Sequence, residues 1–227
     1  MGKSMYEEKF CRNIGAISMH QQEKIRKSTF AIVGLGGLGG FALENLVRLG
    51  AERLIIFDHD RFDYSNFNRQ ILASESSLDK RKKDVALERI RLINKKISVH
   101  AYSEFNSSKI SLADVVIDAT DNLKTRLAIA SACKKLKIPY VFSSAQDSRG
   151  MVSVFTDYSF EKAFQVDEAK LKTKYCSSII CPAASFAGTI AATMAINCIL
   201  KNPVVRAPEA MFFDLFDKRI FWKARLG

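Results

Sequence analysis

The residues whose types and spacing carry most chemical information are Asn66, Phe67, Asn68, Arg69 and Gln70, an N-x-N-R-Q segment. It lies a few residues past Asp58 and Asp60, which follow a glycine loop, Gly34-Leu35-Gly36-Gly37-Leu38-Gly39. Lys82 stands beyond it, and Thr120-Asp121-Asn122 further on. Together they put an arginine, a lysine and carboxylates around a nucleotide's phosphates. Such a set suits attack on the α-phosphate of ATP, where cations and magnesium stabilise the charge on the leaving pyrophosphate electrostatically. Hydride transfer has no need for Arg69 and Lys82 just past a ribose carboxylate. Asn66 and Asn68 can donate amides to the same oxygens, and Asp121 can hold magnesium.

The glycine loop satisfies G-x-G-x-x-G between a strand and a helix. Gly34 permits the turn, Gly36 lets phosphate approach the backbone, and Gly39 lets the helix lie close to the strand. The helix N-terminus favours anions. Asp58 is placed to take a ribose hydroxyl pair. This unit alone fits an ordinary dehydrogenase equally well. Lys82 belongs to a basic run, Lys80-Arg81-Lys82-Lys83, which offers several solvated alternatives. Asp118 reads as structural, and Asn122 as either a ligand or a helix cap.

The elements that must position these groups follow from hydrophobic patterning. Gln21 to Ser28 predicts a short helix. Thr29 to Val33 and Arg53 to Phe57 are continuous apolar runs of the buried-strand kind. Phe41 to Leu49 has helical spacing and ends at Gly50. Lys83 to Ile93 predicts an amphipathic helix with Val85, Leu87, Ile90 and Ile93 inward. Ile97 to Tyr102, Asp114 to Ala119, Pro139 to Ser144 and Met151 to Thr156 read as strands, and Leu123 to Leu136 as a helix. Asp157 to Ser178 reads as a long crossing segment. A long apolar helix from Ala183 follows. Met211 to Phe216 and Arg219 to Ala224 predict a closing hairpin around Asp217-Lys218. The expected fold is α/β, Rossmann-like and doubly wound, a mainly parallel sheet with a C-terminal antiparallel hairpin. It forms one domain over residues 1–227.

Composition narrows the setting. The chain has 227 residues, 48% hydrophobic and 26% charged, as in a soluble globular protein. No signal peptide is visible, so the expected site of action is cytoplasmic, with the five cysteines as thiols. Ser185, Thr189, Thr193 and Asn197 interrupt the run from Ala183 to Leu200 and favour a buried helix over a membrane span. A net charge of +11 suits an acidic partner or a polyphosphate. The basic clusters lack interleaved aromatics, so nucleic acid is not the expected main partner.

With Arg12, Gln22 and Cys181-Pro182 added to these motifs, nearly the whole chain resembles the ThiF/MoeB/HesA family, bacterial relatives of ubiquitin-activating enzymes. N-x-N-R-Q joined to D-x-D is the most specific part of the match. The resemblance implies adenylation of the C-terminal glycine of a small ubiquitin-like sulfur-carrier protein ending in Gly-Gly, as in thiamine or molybdopterin biosynthesis. ATP and Mg2+ would be the cofactors. It also implies a homodimer in which Arg12 reaches the partner's active site. Arg12, Arg69, Lys82 and Asp121 would then carry the reaction. The glycine loop, Asp58, Asp60, Asn66, Asn68, Gln70, Thr120 and Asn122 would hold the nucleotide.

Two departures stand out. Typical members carry two C-x-x-C pairs on a structural zinc. Here Cys176 and Cys181 are spaced by four residues and no second pair follows, so no zinc is expected. Members also often use a cysteine of the crossing segment for thioester or persulfide chemistry. Cys176 is the nearest candidate, about two positions off the usual place relative to Pro182, and is otherwise a plain loop thiol. Three competing readings remain: an NAD-dependent oxidoreductase, a non-catalytic relative, and a member acting on another carboxylate or on tRNA, as tRNA dehydratases do.

Overall fold

The computed structural model describes residues 4–166 and 178–227. Eight strands form one sheet in the order β3-β2-β1-β4-β5-β6-β7-β8. The parallel part comprises β1 (Thr29–Val33), β2 (Arg53–Phe57), β3 (Ser98–Tyr102), β4 (Val115–Asp118) and β5 (Tyr140–Gln146). Then β6 (Arg149–Phe155), β7 (Glu209–Asp214) and β8 (Phe221–Arg225) continue it antiparallel. The helices are α1 (Met5–Phe10), α2 (Met19–Lys27), α3 (Gly37–Leu49), α4 (Lys82–Ile93), α5 (Leu123–Leu136), α6 (Phe160–Phe164) and α7 (Cys181–Leu200).

The apolar runs behave as their composition requires, because strands buried on both faces must be apolar throughout. Phe30, Ile32, Leu54, Ile56, Val115 and Ile117 join the core on one face, with Leu43, Leu46, Ala191 and Ala195 of α3 and α7. Ala31, Val33, Ile55, Phe57 and Val116 join the core on the other, with Ile129 and Cys133 of α5. Helix α7 is long and apolar enough to cross a bilayer, yet half of its apolar window is buried within the protein.

Several boundaries differ from expectation. Helix α3 starts at Gly37, not Phe41. Glycine is a poor helix former, but here close packing decides: a Cβ on Gly39 would lie 1.8 Å from the Gly34 carbonyl oxygen. The antiparallel region is larger than a closing hairpin. A tight turn at Asp147, with φ 53°, folds β6 back on β5, and β7 then pairs with β6. The final hairpin joins Glu209–Asp214 to Phe221–Arg225, with a wider loop than Asp217-Lys218 alone. On α4, Lys82, Ala86 and Ile90 are the fully buried residues, while Val85, Leu87 and Ile93 are partly buried. The segment after Asp157 contains α6, capped by Ser159, whose Phe160 and Phe164 join Tyr140, Phe142 and Phe155 in an aromatic cluster. Cys176 lies outside the described residues.

Candidate functional site

Strand order reverses between β1 and β4, and in open α/β sheets ligands bind beyond the carboxyl ends of strands at such a point. The glycine loop leaves β1 there, and Thr120-Asp121-Asn122 leaves β4. At Gly34, φ is 91° and a Cβ would lie 2.6 Å from the carbonyl oxygen of Ala119. Only glycine fits, so the two loops lie directly against each other. At Gly36 a Cβ would meet nothing nearer than the Gln70 amide at 3.6 Å. Gly36 is also the N-cap of α3 and has no side chain to satisfy the first N–H groups, which leaves them for an anion.

Asp58 ties this loop to β2. Its Oδ2 accepts from the Leu35 N–H at 2.7 Å and its Oδ1 from the Asp60 N–H at 2.8 Å. Burial raises its carboxyl above the usual range, and those two N–H donors and Lys82 oppose the shift. Each carboxylate oxygen keeps a second lone pair for a hydroxyl donor. Lys82 is the buried residue of its basic run, its side chain 7% exposed and its Nζ 2.9 Å from Asp60 Oδ2. The first-turn position on α4 directs it inward, while Lys80 and Arg81 stay exposed.

A short 3-10 turn (Tyr64–Asn66) leads into the N-x-N-R-Q segment, whose Arg69 and Gln70 lie against the glycine loop. Asn66 is buried and turned inward, its Oδ1 accepting from the Asp63 N–H at 3.5 Å. Asn68 donates to the carbonyl oxygen of Ile179 at 3.0 Å, just ahead of α7. Arg69 donates through Nη1 to the Ser65 carbonyl and to Asn68 Oδ1, both at 2.7 Å. The stem of Arg69 passes the start of α3, where a Cβ on Gly37 would lie 3.5 Å from its Cγ. Gln70 is buried beside Gly36, and its Oε1 has no hydrogen-bond partner.

On the β4 side, Asp118 is fully buried and accepts from Thr120 N at 2.9 Å and Thr120 Oγ1 at 2.7 Å. Asn122 caps α5, its Oδ1 accepting from the Thr125 N–H at 3.0 Å, so the cap alternative describes its side chain. Asp121 projects between them, exposed, with no hydrogen bond or ion pair among the described residues.

The glycine loop is thus the hub: Asp58, Arg69, Gln70 and the β4 loop all touch it. Arg12 does not. It is exposed on the N-terminal segment, beside Asn13, which donates to the Leu49 carbonyl at the far end of α3. Sequence reasoning missed Arg126, which contacts Thr120. The available signal was a cation in the first turn of a helix, where the macrodipole disfavours it unless something holds it.

The ThiF family model matches residues 10–226. The sulfur carrier protein ThiS adenylyltransferase of Escherichia coli is 31% identical over 210 residues, covering 87% of this chain and 82% of that protein. The adenylyltransferase and sulfurtransferase MOCS3 of Drosophila yakuba is 37% identical over 139 residues, covering 59% of this chain and 31% of that longer protein. In structure, E. coli MccB crystallised with MccA superposes with a TM-score of 0.81 at 19% identity, over 99% of this chain and 73% of that one; at that identity the likeness is one of fold. The match across nearly all of the sequence places this chain in the ThiF family.

Proposed function

We propose that this chain is an ATP-dependent adenylyltransferase that activates the C-terminal glycine carboxylate of a small ubiquitin-like sulfur-carrier protein. One observation carries the reading: at the strand-order reversal, the open N-terminus of α3 lies beside the stem of Arg69 and against the loop from β4 that leads to the exposed Asp121, and Asp58 ties it to the segment where Asp60 holds Lys82. Cations there suit a triphosphate. The carrier's carboxylate is ionised near neutral pH, so no general base is required. Its oxygen forms a bond to the α-phosphorus as the bond to pyrophosphate breaks, giving an acyl-adenylate.

In this mechanism the open N–H groups beyond Gly36 take phosphate oxygens, and Asp58 accepts from ribose hydroxyls. Arg69 turns from Ser65 and Asn68 toward the phosphates, and Lys82 exchanges part of its contact with Asp60 for them. Asp121 would hold Mg2+, which supplies charge neutralisation when bound; one exposed carboxylate fits an ion that takes one or two carboxylates with phosphate and water. Arg12 acts on the neighbouring subunit of a homodimer in the cytoplasm. The N-terminal segment and the apolar helices would form its interface.

A relative acting on another carboxylate or on tRNA would share this nucleotide site, so the carrier is the part that experiment must supply. The test is carrier-dependent exchange of labelled pyrophosphate into ATP. Exchange with a carrier ending in Gly-Gly supports the reading. ATP binding without exchange points to a different acceptor, and tight NADH binding without ATP binding ends it.

A further inference from the structure

Thr120 immediately precedes Asp121, and every polar atom it has is held. Its N–H and its hydroxyl both donate to Asp118 Oδ1. Its carbonyl oxygen accepts from both Nε and Nη2 of Arg126, the Nε contact being 3.1 Å. Asp118 is in turn fixed by Tyr140, whose hydroxyl donates to Oδ2 at 2.5 Å, and through its own carbonyl oxygen by Ser143 Oγ at 2.9 Å. Burial raises the Tyr140 hydroxyl far above its usual range, which keeps it a donor. Arg126 lies 4.0 Å from the Asp118 carboxylate and stacks its guanidinium 4.7 Å above the Phe142 ring.

A peptide group is planar, so fixing the Thr120 carbonyl also fixes the direction of the Asp121 N–H and the start of Asp121. On the other side, Asn122 is fixed by its cap. Asp121 is therefore an exposed side chain on a backbone clamped at both flanks. The clamp is charge-balanced internally. Arg126, its side chain 15% exposed, compensates an Asp118 buried to 0%, and an unpaired charge at that depth would be strongly destabilising. Asp121 has no ion pair among the described residues.

We infer that Arg126 is a positioning residue for Asp121, acting through the Thr120 carbonyl. The guanidinium fork is what the role requires: two N–H groups on one side reach one oxygen, while a lysine offers a point charge. For catalysis, the inference rests on the proposed adenylyl transfer. Its structural half does not.

The test compares wild type, Arg126→Ala, Arg126→Lys, Asp121→Ala and the Arg126→Ala/Asp121→Ala double variant. Two readouts are taken: hydrogen exchange of the Thr120 amide, and kcat and KM for ATP in carrier-dependent exchange. In Arg126→Ala and Arg126→Lys, the Thr120 amide should exchange at least about tenfold faster while the amides of β1 keep their protection, as in local opening. The kcat should fall by up to about a hundredfold, as a small misplacement can cause, with KM for ATP within about twofold. In the Asp121→Ala background, Arg126→Ala should cost less than about twofold more, since the two act as one unit. Arg126→Lys retains the charge beside Asp118 and so answers the question if Arg126→Ala fails to fold. Unchanged Thr120 exchange in the lysine variant, or losses in kcat that add across the double variant, would overturn the assignment. If wild type shows no exchange with any carrier, the adenylyl-transfer reading fails, and amide protection alone decides whether Arg126 clamps the loop.

Discussion

Asn13 donates its side-chain amide to the Leu49 carbonyl oxygen at 3.1 Å and to Gln22 Oε1 at 2.9 Å, pinning the segment that carries Arg12 to the C-terminal end of α3. Gln22 donates to the same Leu49 oxygen and to Tyr6, whose hydroxyl donates to Gly50. The glycine loop begins that helix at its other end, roughly 20 Å away at 1.5 Å per residue. Arg12 is therefore proposed to serve the nucleotide site of another subunit and not its own.

Complementation tests this. Arg12→Ala and Asp121→Ala subunits, each severely impaired alone but measurable, should regain a substantial fraction of wild-type exchange when mixed, because one of the two sites in the heterodimer is intact. Heterodimers that form and stay inactive would leave Arg12 without a catalytic role.

Arg69→Ala should reduce carrier-dependent pyrophosphate exchange by on the order of a hundredfold, the usual loss for one strong transition-state contact. The fold should survive, because among the described residues the Arg69 side chain bonds only to Ser65 and Asn68 beside it. Exchange at the wild-type rate would remove Arg69 from the phosphate site.

Gly39→Ala and Gly36→Ala should separate fold from binding. A methyl at Gly39 would sit 1.8 Å from the Gly34 carbonyl oxygen, so this variant should melt many degrees lower or fail to fold. A methyl at Gly36 has 3.6 Å of clearance to Gln70 Nε2. That variant should fold with a near-native melting temperature and bind ATP about tenfold or more weakly. Calorimetry of both, with ATP titration of the second, checks the contrast.

Acid stability should register the hairpin anchor. Asp214 is held down to about 2 by the Arg149 guanidinium, then by Ser148 Oγ and the Phe216 N–H. A depressed carboxyl contributes stability above its unfolded value of about 3.9 and loses it as pH falls toward the folded value. The melting-temperature difference between wild type and Asp214→Asn should be full above about pH 4 and shrink toward pH 2. A difference that stays constant over that window would show that the ion pair contributes nothing.

No group of three or more His, Cys, Asp or Glu capable of holding a metal occurs among the described residues. Purified protein should carry no stoichiometric zinc, and chelation should leave its melting temperature unchanged. About one zinc per chain by elemental analysis would refute the expectation.

The sequence by itself determined the parallel sheet, because the runs at 29–33, 53–57 and 115–118 are apolar on both alternating faces and only a doubly covered sheet buries them. It also determined the glycine loop, through G-x-G-x-x-G between an apolar run and a helical one; the positive φ at Gly34 and the close approach at Gly39 agree with it. Tertiary structure alone decided what those motifs do with their polar atoms. Asn66 and Asn68 read as phosphate donors, yet one bonds within its own turn and the other to Ile179, 111 residues away. By residue type Lys82 is one of four adjacent cations, and only the family resemblance singled it out; in the structure it is the one of the run with a buried side chain. Arg126 showed only as a cation in the first turn of a helix, because its partners Asp118, Thr120 and Phe142 meet it only once α5 closes on the sheet. Local patterning records which residues must leave water. It does not record which donor meets which acceptor across the fold, because that depends on distances set by packing.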